Sequence, residues 1–216
     1  MIERQEAQQI FPTPLWVVDL QPAAAAAFNA GLRAEIERLL DPRPPIPVSS
    51  YWQTATDLHT RPAFAEFVDF VEAAALGVAR HLQVEHHPMG ITGCWANINP
   101  PGAYHPMHQH PNNYLSGVYY VAIPSPNSQI HFQDPRGQGA MIMPQPRQYT
   151  PLTANGVSAH CKEGRLLMFP SWLSHTVPPN EGNSDRISIS FNLMFRNFAD
   201  SMTAPLWTPN TAKEKR

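Results

Sequence analysis

The clearest periodic pattern in the chain lies near its C-terminus, where apolar and polar residues alternate strictly. The segment Arg186-Ile-Ser-Ile-Ser-Phe-Asn192 places every second side chain on one face, which is the pattern of a half-buried strand. Other short apolar segments are separated by Pro and Gly. Together they predict strands over residues 91–99, 115–123, 128–133, 164–169 and 186–195. Several short strands joined by such turns predict a sandwich, a barrel or a jelly roll.

The N-terminal part of the chain has a helical pattern instead. Residues 10–20 look extended, with prolines that confine their first half to a sheet edge or a non-strand approach. Pro22 suits the first position of a helix that we expect to reach Leu40, and Pro62 begins a second helix over 62–82. The spacing of one buried face links Phe64, Phe67, Val68, Val71, Ala75 and Val78. We expect both helices to pack outside one face of the sheet.

Three segments lack either pattern and are expected to be loops: 42–50, 51–60 and 134–163. The last is rich in Pro, Gly and Gln, and a loop of this length in a compact domain is usually functional or mobile. No segment has the composition of a linker strong enough to divide the chain. We therefore expect a single domain over 1–216. Residues 1–90 would form an N-terminal strand and buttressing helices, and residues 91–200 the β core.

Composition narrows the classes of protein. The 24 prolines among 216 residues are about twice the average usage, which favours loops and strands over long helices. A formal net charge of −2 provides no basic surface for nucleic acid. Cys94 and Cys161 are expected to be buried, reduced thiols, because no export signal accompanies them.

The N-terminus is polar and acidic, and no apolar run approaches the length of a membrane span. These features predict that the protein has neither a signal peptide nor a membrane partner. They predict a cytoplasmic location. The sequence leaves the oligomeric state open, with a homodimer among the alternatives.

Three of the ten histidines fall within six residues, at His105, His108 and His110. His108 and His110 are two positions apart, so on an extended segment their side chains point the same way. Imidazole is the commonest metal ligand in proteins. The stretch is also interrupted by Pro101, Gly102, Pro106 and Pro111, so a surface turn that happens to contain histidines is the competing interpretation.

Two later features favour the metal site. His175 follows an apolar strand and a Pro-Ser-Trp turn, and Arg186 opens the last strand. A metal that activates dioxygen needs open coordination positions, so the protein supplies only three ligands on one face. A chelating 2-oxo acid would occupy two open positions, and its far carboxylate would need a permanently charged, bidentate partner such as Arg. Tyr120 or Ser188 would add a further hydrogen-bond donor.

These motifs resemble those of the iron(II)/2-oxoglutarate-dependent oxygenases, in particular a group of substrate-unassigned members from bacteria and phages. The resemblance covers roughly residues 91–196, with a further match near the N-terminus. The motifs are His108-Gln-His110-Pro, Leu115-Ser-Gly-Val-Tyr-Tyr-Val121, Phe132-Gln-Asp-Pro-Arg136, Gly164 to His175 with Phe169-Pro-Ser-Trp-Leu-Ser-His175, Arg186-Ile-Ser-Ile-Ser-Phe-Asn192 and Phe11-Pro-Thr-Pro-Leu-Trp16.

The resemblance implies a mainly β fold, the double-stranded β-helix or cupin-like jelly roll, with the N-terminal helices packed outside. It implies that His108 and His175 bind Fe(II) and that Arg186 binds the distal carboxylate of 2-oxoglutarate. Tyr120 matches a position where related prolyl hydroxylases place a tyrosine near that carboxylate. Asn97 and Asn99 lie on the strand before the histidine cluster and are candidates to line the same pocket.

His110 departs from the family pattern, which has Asp or Glu at this position. Three arrangements remain open: His110 completes a three-histidine centre, Asp134 reaches the metal from the next strand, or water takes the third position. His105 is expected at the pocket rim.

The function that follows is hydroxylation of an unidentified substrate by Fe(II), 2-oxoglutarate and O2, with release of succinate and CO2. Two alternatives are a three-histidine cupin-type dioxygenase that uses no 2-oxoglutarate and a non-catalytic, cupin-like module that binds a small acid or a metal. We expect residues 134–163 to cover the mouth of the site, with its mobility left open.

Overall fold

The computed structural model describes residues 1–8, 10–137, 144–150 and 152–197. Two α-helices lie in the described N-terminal part, α1 over Pro22–Leu39 and α2 over Ala65–His81. The strands of this part of the chain are β1 (Trp16–Asp19), β2 (Trp52–Gln53), β3 (Met89–Asn99), β4 (His105–His108), β5 (Leu115–Ala122), β6 (Gln129–Gln133), β7 (Gly156–His160), β8 (Arg165–Pro170), β9 (His175–Val177) and β10 (Arg186–Phe195).

The strands form two antiparallel sheets. One has the order β1-β8-β5-β10-β3-β2 and the other the order β4-β9-β6-β7. Apolar side chains from both sheets meet in the interior, where Tyr120 and Phe169 of the larger sheet join Ile130 and Phe132 of the smaller one. This is the jelly roll that the sequence predicts.

Strand β10 sends its side chains in two directions. Its alternate residues Ile187, Ile189, Phe191 and Leu193 are fully buried in the core under the helices. Because successive side chains point to opposite faces of a strand, Arg186, Ser188, Ser190 and Asn192 face the interior of the barrel. The larger sheet therefore has an apolar outer face and a polar inner wall along this strand.

Both helices cover the outer face of the larger sheet, as expected from their apolar stripes. Ile36 of α1 and Phe67 of α2 are fully buried there. The Asn29 side chain of α1 donates a hydrogen bond to the Val121 carbonyl (3.0 Å) and accepts one from the Tyr119 hydroxyl (2.6 Å). This pair of bonds ties α1 to β5.

Several element boundaries differ from the sequence prediction. Residues Pro62–Phe64 form a 3-10 turn, so α2 begins at Ala65. Only Trp16–Asp19 of the extended segment pairs with β8. The predicted loop over 51–60 contains β2 and a 3-10 turn at Leu58–Thr60.

The prediction of one long loop over 134–163 is wrong in its last part, because β7 pairs with β6 throughout its length. Residues 138–143 and 151 of that segment lie outside the described residues, as does the end of the predicted 91–200 core. Neither helix of the described part is long and apolar enough to cross a membrane.

Candidate metal centre

Two strands of the smaller sheet bring the candidate histidines together. β4 ends at His108 and β9 begins at His175, and these two residues are partners in the antiparallel register. His110 lies two residues beyond β4, where its backbone N–H donates to the Ser171 carbonyl (3.0 Å) at the end of β8. One ring nitrogen from each histidine lies within 4.8 Å of the others, close enough to share one metal ion.

The backbone fixes which nitrogen of two of these rings is available. The Nδ1 atom of His108 lies 2.8 Å from the Pro106 carbonyl, and Nδ1 of His175 lies 2.9 Å from the Leu173 carbonyl. A carbonyl oxygen only accepts hydrogen bonds, so each Nδ1 carries the hydrogen and each Nε2 keeps a free lone pair. Metal-binding histidines in proteins are oriented in this way.

The environment of the cluster favours neutral imidazoles. Burial, together with the neighbouring His108, lowers the pKa of His110 to about 4. Burial also lowers the pKa of His175 to about 4, outweighing the Leu173 hydrogen bond that favours its charged form. Neutral imidazole is the form that binds a metal, so the two rings are ready to act as ligands near pH 7.

Asp134, the carboxylate considered as an alternative ligand, is engaged elsewhere. Its two oxygens accept hydrogen bonds from Arg136 at 2.9 and 2.7 Å, and these bonds hold its pKa below the usual range. Among the described residues, the potential ligands that cluster here are His108, His110 and His175, without a carboxylate. The donor set is therefore three imidazoles.

Arg186 occupies the inner wall of the same barrel. Its side chain is almost fully buried, and Nη1 donates a long hydrogen bond of 3.3 Å to the Pro178 carbonyl. Its Nη2 atom is buried without a partner among the described residues. Burial lowers the pKa of Arg186, but a guanidinium remains charged in proteins. A buried charged donor without a partner is costly, which marks this point as a position for an anionic ligand.

The other predicted pocket residues lie on the same wall as Arg186. Ser188 pairs in register with Asn97 on one side and with Tyr120 on the other, and Arg186 pairs with Asn99. The Asn97 side-chain oxygen is buried without a partner among the described residues. The strand register thus brings all five residues together.

Tyr120 has a second neighbour that the sequence did not indicate. Its hydroxyl lies against the Cys161 thiol, and burial raises the tyrosine pKa well above its ordinary value. Burial also raises the pKa of the Cys161 thiol. Both groups therefore stay protonated near neutral pH, and the only permanent charge among the three neighbours is that of Arg186.

A polar network beside the histidine cluster was not predicted from the sequence, and it begins at Ser171, whose carbonyl accepts the hydrogen bond from the His110 backbone N–H. The Ser116 hydroxyl donates to the Asn192 side-chain oxygen (2.7 Å) and lies 2.9 Å from the Ser171 hydroxyl. A signal for part of it was present, because Asn192 continues the alternation that begins at Arg186 and Ser188. Ser171 belongs to this network because of the turn that follows β8, and no sequence pattern indicates that position.

Comparison with known proteins finds a family model that matches part of the chain. Residues 93–192 match the family model described as "Putative 2OG-Fe(II) oxygenase". This match contains all of the candidate metal and pocket residues. No curated protein matches the chain in sequence.

Solved structures share the fold at low sequence identity. A prolyl-4-hydroxylase from Pseudomonas putida is 18% identical with a TM-score of 0.56, over 85% of this chain and 94% of that one. HygX from Streptomyces hygroscopicus, with nickel and 2-oxoglutarate bound, is 16% identical with a TM-score of 0.58, over 85% and 84% of the two chains. The epimerase SnoN, in complex with Fe3+, alpha-ketoglutarate and nogalamycin RO, is 14% identical with a TM-score of 0.60, over 91% and 88%.

Proposed function

We propose that the chain is a 2OG-Fe(II) oxygenase, because its residues 93–192 match the model of that family, and that it hydroxylates a substrate at a three-histidine iron centre. His108, His110 and His175 are the proposed ligands of Fe(II). Arg186 is the proposed partner of the distal carboxylate of 2-oxoglutarate. The substrate itself is not identified.

The observation that carries this proposal is that Nη2 of Arg186 has no partner in the described part of the chain and lies in the barrel that also holds the histidine cluster. A cluster of three imidazoles suits several metals, but a metal site alone gives no reason for a buried guanidinium. A 2-oxo diacid accounts for both features, because one end chelates a metal and the other end carries a carboxylate. The residues present therefore fit both Fe(II) and 2-oxoglutarate.

Bound Fe(II) and 2-oxoglutarate supply the oxidising chemistry, in which O2 converts the 2-oxo acid to succinate and CO2 and leaves one oxygen atom for the substrate. The protein's part is to position these groups. The Pro106 and Leu173 carbonyls hold the His108 and His175 rings with Nε2 free. With three protein ligands on one face, further coordination positions stay open.

The polar inner wall is proposed to orient the cosubstrate between the metal and Arg186. Ser188 and Asn99 flank Arg186 on its own and the neighbouring strand. Asn97 holds a buried oxygen without a partner, and its amide donates weakly to the Ser190 hydroxyl at 3.5 Å. An amide in this position is free to turn its N–H group toward a carboxylate, with Ser190 then donating to its oxygen. Tyr120 closes the opposite side of Ser188.

The test is turnover of 2-oxoglutarate by the purified protein. Protein loaded with Fe(II) in air should form succinate from 2-oxoglutarate, even slowly and without added substrate. The His175→Ala variant should not. Absence of succinate from the iron-loaded wild-type protein, with 2-oxoglutarate bound, would favour a non-catalytic binding module. Dioxygenase activity that persists in Arg186→Leu would favour a three-histidine centre that uses no 2-oxo acid.

A reducing compartment, the cytoplasm, is the proposed location. Cys94 and Cys161 are both buried and unpaired, which suits a cell interior where thiols stay reduced. The net charge of −2 supports a partner other than nucleic acid. Cell fractionation would test the location, and light scattering would show whether the protein is a homodimer.

A further inference from the structure

His105 lies on the path between the histidine cluster and Arg186. In the antiparallel pair of β4 and β9, His108 is the partner of His175 and His105 is the partner of Val177. The next residue, Pro178, accepts the hydrogen bond from the Arg186 guanidinium. His105 is therefore displaced from the cluster along the sheet toward Arg186.

The ring of His105 is held by two neighbours. Its centroid lies 4.1 Å from that of Tyr51, with the two planes tilted by 36°. Its Nε2 lies 3.0 Å from the Asn99 amide nitrogen and 3.4 Å from the Asn99 amide oxygen. Asn99 is fully buried, and the Asn180 side chain donates to its backbone carbonyl at 2.9 Å. The ring thus rests on groups that are themselves fixed.

This contact favours one tautomer of the neutral ring. Because the amide nitrogen is the nearer Asn99 atom and only donates, Nε2 accepts and Nδ1 carries the hydrogen. The hydrogen bonds of the described residues leave that Nδ1–H without a partner. Burial, together with the charge of Arg186, lowers the pKa of His105 to about 3. The ring is neutral near pH 7, presents one free N–H, and lies close enough to Arg186 for the charge of that guanidinium to act on it.

We propose that His105 is a second anchor for the distal carboxylate of 2-oxoglutarate and donates its Nδ1–H beside Arg186. The inference rests on the proposed function. A carboxylate has two oxygens, so it accepts from the guanidinium and from a neighbouring N–H together. A second cation at this point would repel Arg186, whereas a neutral imidazole adds a donor without adding charge. Stacking on Tyr51 and the bond from Asn99 orient that donor.

The experiment compares two 2-oxo acids that differ at the distal end. Protein loaded with Fe(II) under anaerobic conditions is titrated with 2-oxoglutarate or with 2-oxobutyrate, which lacks the distal carboxylate. The metal-to-ligand absorption band gives each Kd. The variants are His105→Phe, which keeps a ring against Tyr51 but has no N–H, and His105→Gln, which keeps a donor. His160→Phe is the matched control, because His160 is exposed on β7.

His105→Phe should weaken the binding of 2-oxoglutarate about tenfold, which is the effect of losing one hydrogen bond to a charged group. Its Kd for 2-oxobutyrate should stay that of the wild type, and His105→Gln should recover most of the loss. His160→Phe should change neither Kd. If His105→Phe does not fold, His105→Leu provides the same comparison.

Three results would overturn the inference. If His105→Phe weakens the binding of both acids equally, the residue supports the pocket without contacting the distal carboxylate. If it binds 2-oxoglutarate as tightly as the wild type, the residue has no part in binding. If the iron-loaded wild type gives no band with 2-oxoglutarate, the proposed function fails, and the inference fails with it.

Discussion

Replacing Arg186 with Met should separate binding from stability. The guanidinium is buried; among the described residues its Nη2 has no partner, and its Nη1 makes one long hydrogen bond of 3.3 Å. Both nitrogens are available to a carboxylate. Hydrogen bonds to charged groups contribute about 1.5–3 kcal/mol each, and removing one partner of a buried charge pair costs about 2–5 kcal/mol. We take a loss of about 3 kcal/mol in binding free energy, which weakens the binding of 2-oxoglutarate on the order of 100-fold.

The same substitution should leave the ligand-free protein as stable as before, or more stable. A buried charge without a counter-ion carries a desolvation cost, and apolar residues of similar volume often replace buried ions without loss. Met has a similar length and no charge. In urea unfolding of the metal-free protein, the free energy of unfolding of Arg186→Met should therefore equal or exceed that of the wild type.

The assay is the anaerobic titration of iron-loaded protein with 2-oxoglutarate, with Arg165→Met as the control. Arg165 lies on β8 and binds Asp19 at 2.7 and 2.8 Å, so its charge is already paired. That variant should keep the wild-type Kd. Equal affinity of Arg186→Met and the wild type, or a large loss of stability in Arg186→Met without ligand, would refute the reasoning.

Three further predictions concern the metal, the packing and the pH dependence. His110→Ala should weaken Fe(II) binding at least tenfold, whereas His110→Asp should retain it, because a carboxylate also binds iron. If a metal titration gives His110→Ala the affinity of the wild type, water takes the third coordination position instead. Gly117→Ala should destabilise the fold by about 1–3 kcal/mol or more in urea unfolding, because its Cβ would lie 2.3 Å from the Phe191 ring. The control Gly31→Ala has open space and a helical site, and should stabilise by roughly 0.5–1 kcal/mol. In metal-free protein, the free energy of unfolding should fall as the pH drops from about 6.5 toward 4. His110 and His175 have pKa values of about 4 in the folded protein, so over this range the same histidines bind protons in the unfolded chain but not in the folded one. A flat profile between pH 6.5 and 5 would contradict this.

The sequence was sufficient for the parts of the fold that have long periodic patterns. β10 alternates over seven residues from Arg186 to Asn192, and the apolar residues of that stretch, Ile187, Ile189 and Phe191, are all in the core. The stripe on α2 likewise predicts the buried side chains of Phe67, Val71 and Val78. In these segments local pattern and tertiary packing agree, so no knowledge of distant partners is needed.

The missed elements owe their structure to distant partners instead. β4 has four residues including Pro106, and β9 has three, so neither is long enough to show a period. They are strands because they pair with each other, and that pairing is what brings His108 and His175 together. β7 lies in a Pro- and Gly-rich segment and is a strand because it pairs with β6.

For the candidate site, residue type and order were informative, whereas contacts were not. The spacing of His108 and His110, with His175 and Arg186 later, suggests a metal and an anion. The sequence does not show that Arg186 has an unpartnered nitrogen, or that Asp134 is bound by Arg136. His105 was expected at the rim, and only its contacts with Tyr51 and Asn99 place it on the path to Arg186.

The most direct test of the central claim is a crystal structure of the protein grown anaerobically with Fe(II) and 2-oxoglutarate. We expect one metal bound by the Nε2 atoms of His108 and His175 and by His110, and chelated by the 2-oxo acid. We expect the distal carboxylate on Nη2 of Arg186. A metal held by Asp134 in place of His110, or a 2-oxoglutarate whose distal carboxylate leaves Arg186 unpartnered, would contradict this claim.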